Sequence, residues 1–482
     1  MTQLAGMTVP RPAGRTIATA GLMIATAMQA ADALIVNVAL PRLEADLGGG
    51  PALGAWVLMG YLCATAVLAP LTGWLRRRYG ARRLFPLAIW SFVAASLLCS
   101  AAPTAIVIII ARILQGAGGG VLHPLSQAIL LDIHPKERHG RMLAIWGSAV
   151  MVGPILAPLI GGVITDLSSW RWVFVINLPL GILSIWCLRR VHRVAETSRD
   201  LTIDGFGIVL LTAGVGALQL CLQRGAGQAW FRSPEIVSEA AIAGIAFALL
   251  ALRARRSGFA VFRAEVFRDR NFATASFYNF MLSALLFSSV MFVPLLAEGP
   301  FGLPATLAGA LVVPRAVLMT AMILCIGQII GRVDMRILLA SGWLMMAAGL
   351  AILSTIGTEN GALWIIIGSA IQAIGAGMLY TPISTLAFST LAPELRTDAT
   401  GLFSLLRQLA YASGVALMTA TLEQRVQFNL ARQGAMPHAV DAATLAAYRD
   451  CFRMMAVTAV VVIPGIFMFR VAPRRAAAQR PA

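Results

Sequence analysis

The sequence predicts an all-α integral membrane protein with fourteen transmembrane helices, arranged as two six-helix halves with two extra helices between them. Three observations predict it. The composition, 59% hydrophobic and 12% charged with a mean hydropathy of +0.80, is too apolar for a soluble domain, which carries about 25% charged residues. The apolar residues come in runs approaching the roughly 20 residues that a bilayer-crossing helix needs. The basic residues gather in alternate loops, as the positive-inside rule requires.

The runs lie at 16–39, 52–74, 84–102, 104–131, 141–165, 171–188, 204–222, 235–252, 271–297, 304–330, 336–356, 361–388, 399–420 and 451–471. Pro, Gly and charge clusters separate them. The division follows: 1–200 for an N-terminal six-helix half, 201–256 for two linker helices, and 257–482 for a C-terminal half. Arg11 and Arg15 precede a first run with no small-residue cleavage site, so it reads as a retained helix, not a removed signal peptide. Residues 421–450 read as a near-neutral external loop about thirty residues long. The six cysteines sit in or beside apolar runs at no metal spacing and read as small apolar filler.

With the N-terminus in the cytoplasm, 27 of the 38 basic residues fall on the cytoplasmic side and 8 outside; Arg112, Arg315 and Arg407 lie within helices. Two cytoplasmic clusters dominate: Arg76, Arg77, Arg78, Arg82 and Arg83 in one loop, and Arg253, Arg255, Arg256, Arg263, Arg268 and Arg270 in another. Both termini are therefore expected in the cytoplasm. The net charge of +17 invites a nucleic-acid reading. Its arginines lie between apolar runs rather than on one patch, so the expected partner is the anionic lipid surface and not nucleic acid.

The chain repeats itself. Gly73, Arg78, Arg82 and Leu84 match Gly327, Arg332, Arg336 and Leu338 at an offset of 254. His123–Ser126 (HPLS) matches Thr381–Ser384 (TPIS), Pro135 matches Pro393 and Arg138 matches Arg396, all at 258. A nearly constant offset through equivalent loops makes the halves parallel repeats.

Asp32 lies about seven residues inside the outer end of the first run, roughly 10 Å deep at 1.5 Å per residue. A carboxylate at the bilayer centre costs about 2.5–3.5 kcal/mol on insertion scales, so it is expected to face a cavity and to have a role. Burial favours its protonated form. Proton coupling is one reading; permanent pairing with an arginine is the other. Arg112, about eight residues into the fourth run, lies at matching depth and is the natural partner. An arginine that approaches and withdraws would link proton release to conformation.

In the fifth run, Gly153, Ala157 and Gly161 recur at i, i+4 and i+8, with Pro154, Pro158 and Gly162 one position on. Small ridges admit close helix packing and Pro bends helices, so the segment is either a tight contact or a gate between halves. Asn37, Gln115, Arg315 and Gln408 are the candidate polar residues of a substrate cavity. Arg315 follows Pro314, whose freed carbonyl offers a bland partner; a substrate-facing cation is the alternative. Arg407 reads equally as a gate or as a side chain snorkelling to the cytoplasm, and His123 as packing.

No zinc spacing, phosphate loop or Ser-His-Asp arrangement is present, so an enzyme is not expected. Without a nucleotide site or cofactor, the proton gradient is the expected energy source. One intramembrane acid implies a simple stoichiometry and argues against dicationic substrates.

These motifs together resemble the fourteen-helix drug:proton antiporters of the major facilitator superfamily, the EmrB/QacA type. The resemblance covers nearly the whole chain. It rests on the first-helix motif at Asp32–Pro41, RILQG at Arg112–Gly116, GPILAPLIGG at Gly153–Gly162, WRWVFVINLP at Trp170–Pro179 and SLLRQLAYASGVAL at Ser404–Leu417. Ala157 and Ala410 stand where the family usually has Gly. The loop motif spans Gly73, Arg77, Arg78, Gly80 and Arg82, and Arg77 replaces the family's usual Asp, thought to latch the inward-closed state. The resemblance implies proton-driven export of amphipathic drugs from the cytoplasm by alternating access across the inner membrane. It implies a coupling pair at Asp32 and Arg112, and partnership in two-membrane bacteria with a periplasmic adaptor and outer-membrane channel. A dedicated exporter of one metabolite, lipid precursor or siderophore, an importer, and a non-transporting sensor or scaffold are the alternatives.

Overall fold

The structure, a computed structural model, describes residues 12–48, 50–188, 204–228, 230–256, 264–357, 361–433 and 439–470. Helices form because a backbone in lipid must satisfy its hydrogen bonds within its own segment. They are α1 (Pro12–Leu47), α2 (Gly50–Tyr79), α3 (Ala81–Ser100), α4 (Ala105–Ile133), α5 (His139–Leu167), α6 (Trp172–Val175), α7 (Asn177–Leu188), α8 (Gly205–Arg224), α9 (Pro234–Arg256), α10 (Arg270–Glu298), α11 (Ala305–Ala310), α12 (Val313–Ile329), α13 (Met335–Leu353), α14 (Gly361–Ser389), α15 (Arg396–Gln433) and α16 (Ala439–Val461). Among the described residues no strand forms beyond one bridge between Ile330 and Val333. Side chains of Asp204, Asp269 and Asp334 cap α8, α10 and α13, each accepting an otherwise orphaned first-turn N–H.

Among the described residues ten helices are long and apolar enough to cross a membrane, and the bent α1 makes an eleventh. Two shorter apolar segments, Trp172–Leu188 and Val313–Ile329, lie where runs six and ten were expected, and each follows or contains a break. Large apolar side chains point outward along the bundle, among them Ile106, Leu87 and Val163, as lipid-facing surface must.

Packing repeats between the halves. α2 and α3 lie on α4 as α12 and α13 lie on α14, and α1 packs on α5 as α10 packs on α15. Glycines register the match. A Cβ at Gly118 would meet Ala88 and Phe92, and one at Gly375 would meet Gly342 and Met346. Gly120 abuts Thr65 and Leu68 as Gly377 abuts Met319 and Met322. The α2/α12 and α3/α13 contacts keep the offset of 254, while the glycines of α4 and α14 are offset by 257, one residue short of the 258 expected from His123 and Thr381. Helices α8 and α9 pair with each other and meet the bundle through α2 and α15. Only 22% of α9's apolar stretch is buried, so α9 is peripheral.

One expectation fails. The segment at 421–450 is not a thirty-residue loop: α15 runs on to Gln433 and α16 begins at Ala439. The extension is polar on one side, which defeats a reading based on apolar run length, yet its i, i+3 and i+4 spacing keeps a helical face.

Candidate functional site

Asp32 on α1 is fully buried and meets three donors. Arg112 Nη1 donates to its Oδ2 at 2.7 Å. Gln115 Nε2 and Asn177 Nδ2 donate to its Oδ1 at 2.8 and 2.7 Å. Arg112 and Gln115 are one turn apart on α4, so both reach the same point; Asn177 opens α7 from below a helix break. Arg112 also donates to Gln115 Oε1 at 2.7 Å and to Val57 O at 3.4 Å. Its guanidinium carbon stands 4.1 Å from the Tyr61 ring centroid, a cation–π contact. Ser96 on α3 closes the shell, accepting from Gln115 and Asn177 and donating to Phe174 O at 2.8 Å. Both carboxylate oxygens of Asp32 thus accept from N–H donors.

The expectation that Asp32 faces a cavity is not met in this conformation. Its carboxylate turns into the N-terminal half, toward α3, α4 and α7, because that is where the compensating cation and amides lie. Gln115 likewise belongs to the Asp32 shell and lines no open cavity. Asn37 is exposed on α1, apart from the cluster. Arg315 is buried in the C-terminal half and donates to Ser289 Oγ at 3.1 Å and Leu286 O at 3.2 Å on α10. Its partners thus lie on α10, not on the carbonyl four residues before Pro314. Gln408 is half-buried, and its Oε1 has no partner among the described residues.

The Gly153 ridge packs within one half. A Cβ at Gly153 would lie 2.6 Å from Ala27 O and 2.8 Å from Ala31 N, and one at Gly161 2.8 Å from Ile35. The ridge therefore seats α5 on α1 directly beside Asp32, while nothing lies within 4 Å of a Cβ at Gly162. The side chains of Pro154 and Pro158 fall outside the described residues.

The halves meet at the end carrying the Arg-rich loops, the basic end. Arg76 donates to Asp132 Oδ2 at 2.6 Å and to Thr397 Oγ1 at 2.7 Å, and Arg396 reaches Asp132 Oδ1 at 3.4 Å. Arg77 pairs with Asp398, which lies in the first turn of α15. Arg77, standing where the family usually has Asp, thus meets its acid on the C-terminal half. Gly73 packs against Asp398 and Gly401 against Ala69. Gly80, with φ 73°, makes the turn into α3 that an L side chain resists. Arg82 is exposed, and Arg78 lies 6.0 Å over the Tyr79 ring.

Deeper in the same interface, Arg407 on α15 contacts His123 Nε2 on α4 and lies near Tyr380 and Ser404. Arg407 therefore does not snorkel to the surface. His123 packs edge-on against Trp146 with centroids 4.6 Å apart. Sequence reasoning missed Asn177, Ser96, Tyr61, Asp132 and Asp398. Of these only Asn177 lay in a motif, and the distance of 145 residues from Asp32 hid the contact.

A family model described as Major Facilitator Superfamily matches residues 22–415. The chain is 33% identical over 404 residues to "Multidrug export protein EmrB" of Haemophilus influenzae, covering 83% of this chain and 79% of the relative. It is 31% identical over 409 residues to "Fatty acid resistance protein FarB" of Neisseria gonorrhoeae, covering 84% and 80%. Among solved structures it resembles the human organic anion transporter MFSD10 (TETRAN), with a TM-score of 0.67 at 14% identity over 95% of this chain and 100% of the other.

Proposed function

We propose that this chain, which belongs to the Major Facilitator Superfamily, is a proton-coupled antiporter that exports amphipathic drugs or other toxic small molecules by alternating access. Multidrug export is the role for which its EmrB relatives are named. The observation that carries the coupling is the buried pair of Asp32 and Arg112 with Gln115 and Asn177 as further donors. Taking a proton requires Arg112 to withdraw, and that movement is the link between protonation and conformation.

The described geometry has its cross-half bonds at the basic end, which corresponds to an outward-facing state if that end is cytoplasmic. Both termini are then cytoplasmic, and fourteen segments span an inner membrane in the 1–200, 201–256 and 257–482 division. A proton crossing about 150 mV supplies roughly 3.5 kcal/mol, enough for about a 300-fold gradient of a neutral substrate at 1.36 kcal/mol per tenfold. The outer ends of α15 and α16 are the surface that a periplasmic adaptor would meet.

Asp32→Asn tests the reading. Protonophore-sensitive dye extrusion is expected to disappear while the protein stays folded; undiminished extrusion overturns it. The complete burial of the pair favours a second reading, a fixed brace inside the N-terminal half. Under that reading Asp32→Asn leaves the coupling of the surviving protein intact.

A further inference from the structure

The Asp32 site has a counterpart in the C-terminal half with one change of charge. Asp32 accepts from Gln115 across 83 residues, and Ser289 donates to Gln372 Oε1 at 2.7 Å across the same 83. At the offset of 257 that relates α4 to α14, Gln115 corresponds to Gln372 and Arg112 to Ser369; the bond each glutamine makes then pairs Asp32 on α1 with Ser289 on α10. At the α2/α12 offset of 254, Tyr61 corresponds to Arg315. The N-terminal site therefore holds an acid and a cation. The C-terminal site keeps a cation, Arg315, and has a hydroxyl in the acid's place.

Arg315 is 3% exposed, and among the described residues no carboxylate pairs with it. A buried cation held by one hydroxyl and one carbonyl is undercompensated. Two neighbouring polar atoms are idle as well: Gln372 Nε2 and Ser369 Oγ are buried without partners, and they sit one turn apart on the same face of α14.

We infer that Arg315, Gln372 and Ser369 form a binding site for the carboxylate of an anionic amphiphile, the substrate supplying the acid that Ser289 does not. This deepens the export reading and rests on it. On binding, Arg315 exchanges a neutral carbonyl, Leu286 O, for a charged acceptor, which makes the stronger hydrogen bond.

The test is equilibrium binding to the full chain in lipid nanodiscs of three probes with one ring system: 2-naphthoate, 2-naphthylmethylammonium and 2-naphthylmethanol. The variants are Arg315→Gln, Arg315→Lys and Ser289→Asp, each checked by thermal unfolding. Naphthoate is expected to bind the wild-type chain and to weaken at least tenfold in Arg315→Gln. Arg315→Lys retains part of the affinity. Ser289→Asp weakens naphthoate at least tenfold because an internal carboxylate now occupies Arg315. The ammonium and the alcohol change less than twofold throughout. Absence of naphthoate binding to the wild type, indifference to Arg315→Gln, or equal weakening of all three probes overturns the inference. Export is read separately: Asp32-dependent dye extrusion beside naphthoate binding indifferent to Arg315 sinks this site alone.

Discussion

Exchanging the charges of the Arg77–Asp398 pair is expected to leave the basic end closed, whereas reversing one of them opens it. Asp398 is 0% exposed and Arg77 20%. Truncating one member of a buried, hydrogen-bonded pair costs 2–5 kcal/mol, much of it for the charge left behind. Arg77's partial exposure and the α15 N-terminus beside Asp398 both soften the loss, which puts Arg77→Ala near 2 kcal/mol. At 1.36 kcal/mol per tenfold that is about a 30-fold fall in the ratio of closed to open molecules. Arg77→Asp places two carboxylates together and falls further. Arg77→Asp with Asp398→Arg restores opposite charges and recovers most of the closure. Spin labels at Arg83 and Glu394, both exposed on opposite halves, report the opening as a long-distance population in a cysteine-free background. The reasoning is refuted if Arg77→Ala leaves the distances unchanged, or if the exchanged pair is as open as Arg77→Asp alone.

Other expectations follow from the same geometry. Asp32→Asn leaves Arg112 buried without a counter-charge, a loss of about 3–5 kcal/mol; adding Arg112→Gln is expected to raise the melting temperature above that of the single variant. A Cβ at Gly401 would lie 2.5 Å from Ala69 O and 3.1 Å from Pro70 Cα, so Gly401→Ala pushes α15 off α2 and increases the long-distance spin-label population. Gly162→Ala, with open space around it, stays within about 0.5 kcal/mol of wild type in thermal unfolding. At the basic end, burial lowers the His139 pKa from its ordinary 6.5 and the Arg396 charge adds to this, outweighing the bonds to His134 O and Leu131 O. The neutral ring is the form that fits, so its contribution to stability is present above about pH 6.5 and is lost as pH falls below it. Melting temperatures at pH 7.5 and 5.5 are expected to differ less in His139→Gln than in wild type.

The helices were legible because lipid imposes the same apolar period on every span, and most ends agree within a few residues. The exception, 421–450, shows the limit: where α15 leaves the apolar layer its sequence turns polar, and length in lipid no longer marks the helix. The Asp32–Arg112 pair was legible from matched depth. Its amide donors were not, because Asn177 reaches Asp32 from another helix after a break that leaves no trace in hydropathy. Arg77 was legible as a departure but its partner was not, since that acid lies 321 residues away. The halves' repeat was visible in loops; that it also relates Asp32 to Ser289 appears only once the Gln115 and Gln372 bonds are placed side by side.

Coupling through Asp32 is tested most directly by proton movement itself. In proteoliposomes enclosing a pH-sensitive dye, an imposed gradient of an exported substrate should drive protons in the opposite direction. Wild type is expected to show that countermovement and Asp32→Asn to show none, with substrate binding retained. Equal proton countermovement in both would contradict the assignment of the proton to this carboxyl.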